Sequence, residues 1–243
     1  MSDLTPQDIA NTTPEALAEL MRGPRDALAR WVQAAAEAGL GQAQVMLGRM
    51  LLEGDGVQRN PHLALEWFKR AAGAGNAQAM EMVAHCYDQG WGVAADPVLA
   101  TEWFRSCAEA GSDKGMYQYA NRLAAGRGAP VDLIRAFAYY EQAAALGHAA
   151  STGAVGRFYE TGEVVGQDPD RAFEAYGKAA QAGDAHGMFH YARLLHERGQ
   201  TREAFDWFAR VPQHATPEFL REARKALSEA GISGLDALYV DRA

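Results

Sequence analysis

Apolar residues recur along most of this chain at helical spacing, in pairs of segments joined by glycine-rich turns. Residues 41–75, GQAQVMLGRMLLEGDGVQRNPHLALEWFKRAAGAG, predict one helix, a turn and a second helix that ends on glycine. The pattern returns after thirty-six residues, so that Gly54 corresponds to Gly90, Gly126 and Gly162. Fixed-period self-similarity is typical of solenoids, in which each unit buries its apolar face only by stacking on its neighbours.

Individual positions within the repeat have distinct roles in the predicted helix pair. In the second helix, Trp67 corresponds to Trp103 and then to Tyr139, which indicates an aromatic core position. This helix is predicted to begin at an Asn or Asp, whose side chain accepts hydrogen bonds from the free amides of a first turn. The capping residues are Asn60, Asp96, Asp132 and Asp168. Proline follows three of them, at the helical position where a missing N–H is tolerated.

The repeats predict an all-α solenoid of helix pairs with degenerate capping helices at both ends, in one continuous domain. A fifth unit begins at Asp184 with a turn that is four residues shorter, and Thr216-Pro217 opens a last helix. The predicted divisions are an N-terminal tail and degenerate cap (1–39), repeats 1 to 4 (40–75, 76–111, 112–147 and 148–183), a shortened repeat 5 (184–212), and a C-terminal capping helix and tail (213–243).

Three sequence runs carry a resemblance to a known family. They are A-Q-x-x-L-G at Ala43–Gly48, L-x-x-G-x-G-V at Leu51–Val57 and A-L-E-W-F-K-R-A-A at Ala64–Ala72, and the second unit matches them as well. Over roughly residues 24–212 the chain resembles the Sel1-like repeat, a relative of the tetratricopeptide repeat. The resemblance implies a right-handed superhelix of antiparallel helix pairs, with the first helices lining a concave face. It also implies a role as an adaptor or scaffold in protein–protein interaction.

Composition narrows the choice of partner and compartment. The formal net charge of -8 and the sequence pI near 5.4 argue against nucleic acid, which needs clustered Lys and Arg. The sequence contains no run of eighteen apolar residues, so membrane insertion is not expected. The N-terminus lacks the basic and apolar regions of a signal peptide, so we expect a cytoplasmic protein, or a periplasmic or secreted one whose targeting segment has been removed. Cys86 and Cys107 are predicted to be buried reduced thiols, with a disulfide between them as the alternative.

In related repeats, first-helix positions that avoid the packing face form a groove. These positions vary in residue type here while the packing positions do not, which is typical of a recognition surface. The resulting partner-binding candidates are Arg49, His85, Asn121, Arg157 and Arg193 in a central row, Tyr117 and Phe189 in an adjacent row, and Asp88, Glu160 and His196 in a third row. The alternative for two arginines is an i,i+4 pair within their own helix, Arg49 with Glu53 or Arg193 with Glu197.

Trp91 is the one tryptophan outside the repeated core position. It lies in the Gly90-Trp91-Gly92 turn, where other units have a charged residue. It is predicted either to contact a partner or to fold back over the ends of the helices.

The leading functional prediction is a non-enzymatic adaptor or scaffold that binds a protein or peptide in the groove, without a cofactor. One alternative is a binding protein that neutralises a toxin or an enzyme. Another class is an enzyme with a metal at His186 and His190, which are four apart on a helix but have no third ligand at suitable spacing. Self-association through the apolar C-terminal tail is also open.

Overall fold

A computed structural model describes residues 6–234 and Tyr239 of the 243-residue chain. The described residues form fourteen α-helices, and thirteen residues is their commonest length. Their bounds are α1 Pro6–Ala10, α2 Pro14–Arg22, α3 Arg25–Glu37, α4 Gly41–Glu53, α5 Pro61–Gly73, α6 Ala77–Gln89, α7 Pro97–Glu109, α8 Asp113–Ala125, α9 Leu133–Ala145, α10 Ala149–Thr161, α11 Pro169–Gln181, α12 Ala185–Glu197, α13 Thr201–Phe208 and α14 Pro217–Glu229. The all-α class and the repeated helix pairs are confirmed.

The chain divides into two compact units, Met1–Val131 and Asp132–Ala243, here called unit 1 and unit 2. In unit 1 each helix from α3 to α7 packs against the next one along the chain, as far as α8. In unit 2 the same succession runs from α9 to α13, and α10 also contacts α12. Each helix therefore buries its apolar face against its neighbours in sequence.

The helix starts follow the predicted capping chemistry. The side chains of Asn60, Asp96, Asp132 and Asp168 each accept a hydrogen bond from a first-turn amide of α5, α7, α9 and α11. The Pro at the first position of α5, α7 and α11 removes an amide that would otherwise lack a partner. These local signals fix where the second helix of each pair begins.

Glycines end the first helices and allow the helices of a pair to approach closely. Gly54 adopts a left-handed conformation with φ of 80°, and its amide donates to the carbonyl oxygen of Met50. Within α4, a Cβ atom on Gly48 would lie 2.3 Å from Cε1 of Phe68, so only glycine permits the observed packing of α4 on α5. The alanines at the close-packing position of the second helices are Ala64, Ala100, Ala136 and Ala172, and all four are fully buried.

The two termini contain more structure than their sequences suggest. Residues 1–13 carry no apolar pattern, yet α1 forms within them, Ile9 is buried, and Nε1 of Trp31 donates to Thr12 Oγ1 at 2.9 Å. Near the C-terminus Tyr239 is buried and donates a hydrogen bond to the carbonyl oxygen of Phe208 at 2.7 Å. The remainder of the apolar tail, residues 235–238 and 240–243, lies outside the described residues.

Both cysteines are free and buried. Cys107 Sγ donates to the carbonyl oxygen of Ala77 at 3.2 Å. Burial raises the pKa of the Cys86 thiol to about 11, so this thiol is neutral at physiological pH.

Candidate functional site

In unit 1, Arg49 lies exposed on α4, as predicted for the central row. The predicted pair with Glu53 does not form, and no carboxylate within the described residues makes an ion pair with Arg49. The pKa of Glu81 on α6 is lowered, first by its hydrogen bond with His85 and last by the charge of Arg49. Because Arg49 and Glu81 do not form an ion pair, the exposed guanidinium of Arg49 is available to a carboxylate from outside the chain.

Trp91 borders the same concave region as Arg49. It follows α6, and 40% of its surface is exposed. Together with residues of α4, the following loop and α6, it encloses a cavity of about 440 Å³. The lining residues are Arg49, Leu52, Glu53, Arg59, Met82 and Trp91. Arg59 Nε donates to the carbonyl oxygen of Leu52 at 2.9 Å, which holds this second guanidinium at the rim.

The other unit 1 residues of the candidate rows are only half-buried. His85 on α6 lies edge-on to the ring of Phe104, with ring centroids 5.3 Å apart, and its Nε2 is 3.8 Å from Oε1 of Glu81. Asn121 and Tyr117 lie half-buried on α8. Their residual exposure leaves part of each side chain accessible.

Asp88 does not lie free in a groove, contrary to the prediction. Its Oδ1 is 2.7 Å from Nη1 of Arg122 and 3.0 Å from Nη2 of Arg127, and only 9% of its side chain is exposed. Burial alone would raise the pKa of Asp88, but the hydrogen bonds and charge of Arg122 outweigh it and lower the pKa. Asp88 therefore holds α6 to α8 and serves the fold.

Arg122 and Thr101 complete this polar cluster, and the sequence reasoning missed both. Thr101 Oγ1 accepts from Nε of Arg122 at 3.0 Å and donates to the carbonyl oxygen of Arg127 at 2.8 Å. A signal was available in the repeat, because both residues are polar in positions that other units fill with apolar side chains. The counterparts of Arg122 are Met50, Cys86 and Phe158, and those of Thr101 are Leu65, Phe137 and Phe173.

In unit 2, Arg157 is exposed on α10, as predicted for the central row. Its Nη1 lies 3.8 Å from Oε2 of Glu163, and its guanidinium lies over the ring of Phe158 at 4.9 Å. Both partners of this long ion pair are about half exposed, so it holds Arg157 only weakly.

Two predicted contact residues of unit 2, Arg193 and Glu160, bind each other instead of lying free. Nη2 of Arg193 pairs with Oε1 of Glu160, while Nη1 pairs with Glu197 at 2.7 Å. The Tyr176 hydroxyl donates to Oε2 of Glu160 at 2.7 Å. Burial first, and then this hydrogen bond, raises the pKa of Tyr176, which keeps the phenol protonated. This network joins α10, α11 and α12.

Phe189 was expected on an exposed surface but lies in the core, with 6% of its surface exposed. Its ring packs on Phe208 and Phe219, with centroids 5.5 Å and 5.9 Å away. The reason is α14, whose Phe219 covers this face of α12. His196, also on α12, is half-buried, and its Nδ1 has no hydrogen-bond partner in the described part of the chain.

His186 and His190 have separate aromatic partners. His190 stacks on Tyr176 with centroids 4.9 Å apart, whereas His186 lies 3.7 Å from the ring centroid of Phe219. Burial, followed by the nearby charge of Arg193, lowers the pKa of His190 to about 4. Among the described residues no group of three or more His, Cys, Asp or Glu side chains could hold a metal ion.

A family model for the Sel1 repeat matches residues 41–76, 77–112, 113–148 and 152–184, which together make up more than half of the chain. The chain belongs to the Sel1 repeat family. The first two matches contain α4–α5 and α6–α7, so each Sel1 repeat here is one pair of consecutive helices. Trp31 on α3 and Trp207 on α13 keep the repeat's aromatic residue outside the matched segments.

Solved structures with the same fold include other Sel1 repeat proteins. A Sel1 repeat protein from Oxalobacter formigenes is 25% identical with a TM-score of 0.77, over 94% of this chain and 91% of that chain. A protective antigen of uropathogenic Escherichia coli strains, c5321, is 23% identical with a TM-score of 0.74, over 92% of this chain. This chain spans only 51% of that antigen. The immunity protein PA5088 from Pseudomonas aeruginosa is 18% identical with a TM-score of 0.54, over 82% of this chain and 74% of that chain.

Two further findings concern curated relatives and membrane-spanning helices. A search of curated proteins gave no match. Within the described residues, none of the helices has the length and apolar character that spanning a bilayer requires.

Proposed function

We propose that this Sel1 repeat protein is a binding module that holds a protein or peptide partner on the first-helix face of unit 1. The contact area is the Arg49–Trp91 surface, which consists of Arg49, Leu52, Arg59, Met82 and Trp91 around the cavity of about 440 Å³. Sel1 repeat proteins are generally non-enzymatic scaffolds, which supports a binding role over a catalytic one.

The observation that carries the proposal is an unpaired arginine beside an exposed tryptophan. Arg49 makes no ion pair within the described residues, and Trp91 keeps 40% of its surface in solvent at the same cavity. Arginine and tryptophan are enriched among the residues that dominate binding energy at protein interfaces. A partner that covers this surface would pair the guanidinium and bury the indole.

The charges of the surface favour a partner that presents a carboxylate beside an apolar side chain. Two guanidinium groups, Arg49 and Arg59, line the cavity with one carboxylate, Glu53, and the Glu81 carboxylate on α6 lies close enough to interact with Arg49. The lining itself carries a positive charge, although the whole chain carries a net charge of -8. Charge complementarity of this kind selects partners and raises association rates.

The second candidate function is neutralisation of a toxin or an enzyme by binding to it. The likeness to PA5088, described as an immunity protein, motivates it, but an identity of 18% supports a common fold alone. The same surface would serve both candidates, and the identity of the captured partner separates them. A partner whose toxicity or catalytic activity falls on binding would favour neutralisation.

The experiment is affinity capture from the native host with matched variants, followed by mass spectrometry. Arg49→Glu and Trp91→Ala alter the surface without breaking an ion pair within the described residues. Arg224→Glu, on the exposed face of α14, makes the same charge change away from the surface. The proposal expects one protein to be captured by the wild type and by Arg224→Glu and lost from the other two variants. Equal recovery of every captured protein by all four forms would refute it.

A further inference from the structure

In one helix pair, α10–α11, a small residue occupies the position that holds an aromatic residue in the other pairs. The residues at this position are Trp31, Trp67, Trp103, Tyr139 and, after the shortened turn of repeat 5, Trp207. On α11 the same position is occupied by Ala175. The family's core pattern thus lacks one large side chain in unit 2.

The counterparts of Ala175 show what this position normally holds. Trp67 is almost fully buried, and the guanidinium of Arg70 lies 4.5 Å from its ring centroid. Trp207 packs edge-on against Tyr191 at 5.7 Å, and Arg210 lies 4.5 Å from its ring. In both helices the cation three residues after the tryptophan stacks on its ring, an arrangement that stabilises an aromatic side chain.

A cavity of about 490 Å³ is present where the α11 aromatic residue is missing. Its lining comes from α9, α10, α11 and the residues that follow α9 and α11, all within unit 2. The lining residues are Ala144, Gly147, Thr152, Val155, Tyr159, Arg171, Glu174, Ala175, Lys178 and Ala182. A volume of this size is in the range of sites that bind small molecules or single side chains.

The helix that lacks the aromatic ring, α11, has a cation at the spacing seen after Trp67 and Trp207, whereas Trp31, Trp103 and Tyr139 are followed there by uncharged residues. Lys178 lies three residues after Ala175, in the place of Arg70 and Arg210, and it is exposed without an ion pair among the described residues. Arg171, at the other side of the cavity, lies over the ring of Tyr159 at 5.3 Å. The lining holds two cations and one carboxylate, Glu174, although Arg171 also pairs with Asp168 outside the lining at 3.5 Å.

We propose that the Ala175 cavity receives a tryptophan or tyrosine side chain from a partner protein, which takes the place of the aromatic residue that α11 lacks. Lys178 then lies against the inserted ring, and an acidic residue beside it in the partner pairs with the cationic rim. The inference rests on the proposed binding function but uses a surface of unit 2, separate from the Arg49–Trp91 surface of unit 1.

The test uses blocked tripeptides as probes of the full-length protein. Acetyl-Asp-Trp-Asp-amide and acetyl-Asp-Ala-Asp-amide are titrated into isotope-labelled protein, and backbone amide shifts are followed by NMR. The tryptophan peptide is expected to shift the amides of Val155, Tyr159 and Ala175 with saturation at millimolar concentration, and the alanine peptide is expected to bind about tenfold more weakly or not at all. Equal binding of the two peptides, or shifts confined to other regions, would overturn the proposal.

Two variants separate the cavity from general surface effects. Ala175→Trp restores the repeat's aromatic residue, so it is expected to abolish binding of the tryptophan peptide and to raise the thermal midpoint by filling the cavity. Lys178→Glu keeps the fold and is expected to weaken the same peptide about tenfold, whereas Arg202→Glu, an exposed charge reversal on α13, leaves it unchanged. Wild-type affinity in Ala175→Trp would overturn the proposal, and if Ala175→Trp folds poorly, wild-type affinity in Lys178→Glu would overturn it.

Two other outcomes concern the occupant and the proposed function. If sedimentation shows concentration-dependent self-association that Ala175→Trp removes, the occupant is a second copy of this chain and the proposal of a different partner protein is wrong. Arg49→Glu is expected to bind the tryptophan peptide as the wild type does. A failure at Ala175 would therefore leave the Arg49–Trp91 surface untouched, and a failure at Arg49 would leave the Ala175 cavity untouched.

Discussion

Asp88 and Arg122 form an ion pair that is nearly enclosed by unit 1. Nη1 and Nη2 of Arg122 each lie 2.7 Å from Oδ1 of Asp88, and 9% and 6% of the two side chains are exposed. Removal of one partner of a buried pair leaves an unpaired charge that is costly to keep from water. The contribution of either residue to the stability of the fold therefore depends strongly on the presence of the other.

The first prediction is that Asp88→Ala lowers the free energy of unfolding by about 3–5 kcal/mol. Chemical denaturation measures it, with Asp26→Ala as the control because Asp26 pairs with Arg30 on the exposed face of α3. The control is expected to cost less than about 1 kcal/mol. The double variant Asp88→Ala/Arg122→Met, which places the Met50 counterpart at the Arg122 position, is expected to be more stable than Asp88→Ala alone. A double variant no more stable than the single one would contradict this account.

The second prediction concerns the stability that Asp88 contributes at low pH. The pKa of Asp88 in the folded protein lies below its unfolded value, despite the opposing effect of burial, because Arg122 stabilises the carboxylate. Its stabilising contribution is therefore present above the unfolded pKa, about 3.9, and is lost as pH falls through the folded pKa. The stability difference between wild type and Asp88→Asn, measured by denaturation at several pH values, is expected to shrink below about pH 4. A difference that stays constant down to pH 2 would argue against the ion pair.

The third prediction concerns His190, whose pKa of about 4 reflects burial first and then Arg193. The unfolded chain binds a proton at His190 below about pH 6.5, whereas the folded chain does so only near pH 4. Stability is therefore lost as pH falls from about 6.5 to 4, by roughly 3 kcal/mol at most. His190→Phe keeps a ring beside Tyr176 and is expected to lack this part of the pH dependence. Identical pH profiles for the two proteins, measured by thermal or urea unfolding, would contradict the burial of a neutral imidazole.

The fourth prediction compares two helical glycines of the same repeat. A Cβ on Gly48 would lie 2.3 Å from the Phe68 ring, so Gly48→Ala is expected to cost about 1–3 kcal/mol through overpacking. Gly73, at the end of α5, has nothing within 4 Å of an added Cβ. Gly73→Ala is expected to leave stability unchanged or to raise it by up to about 1 kcal/mol. Equal effects in urea denaturation would show that α4 and α5 are less closely packed than described.

The fold was predictable because the same local sequence signals recur in several repeats. The cap at Asn60, the glycine at Gly54 and the aromatic residue at Trp67 all recur at a fixed interval, so each prediction was supported by several copies. Local capping and periodic burial depend on residues a few positions apart. Such short-range relationships can be read from one sequence.

The candidate site was predictable only in part, because it depends on contacts between distant residues. Arg49 was correctly placed on an exposed helical face, since exposure follows from helical periodicity. Phe189 was misplaced because its cover, Phe219, comes from α14, thirty residues further along the chain. Asp88 was misplaced because its partner Arg122 is thirty-four residues away, in a position that is apolar elsewhere.

The expected effect of charge reversal also differs between arginines that the sequence treated alike. Arg193 is held by Glu160 and Glu197, so its reversal would disturb unit 2 as well as any contact with a partner. Arg49 makes no ion pair within the described residues and interacts with Glu81 only through its charge, so its reversal disturbs the fold less than reversal of Arg193.

The central claim is that the Arg49–Trp91 surface binds a partner, and one titration tests it directly. The captured partner is titrated by calorimetry into the wild type, Arg49→Glu, Trp91→Ala and the control Arg224→Glu, after thermal midpoints have been compared. We expect Arg49→Glu and Trp91→Ala to raise Kd at least about tenfold, or 1.4 kcal/mol, with thermal midpoints close to that of the wild type. Unchanged Kd values for these two variants would contradict the claim.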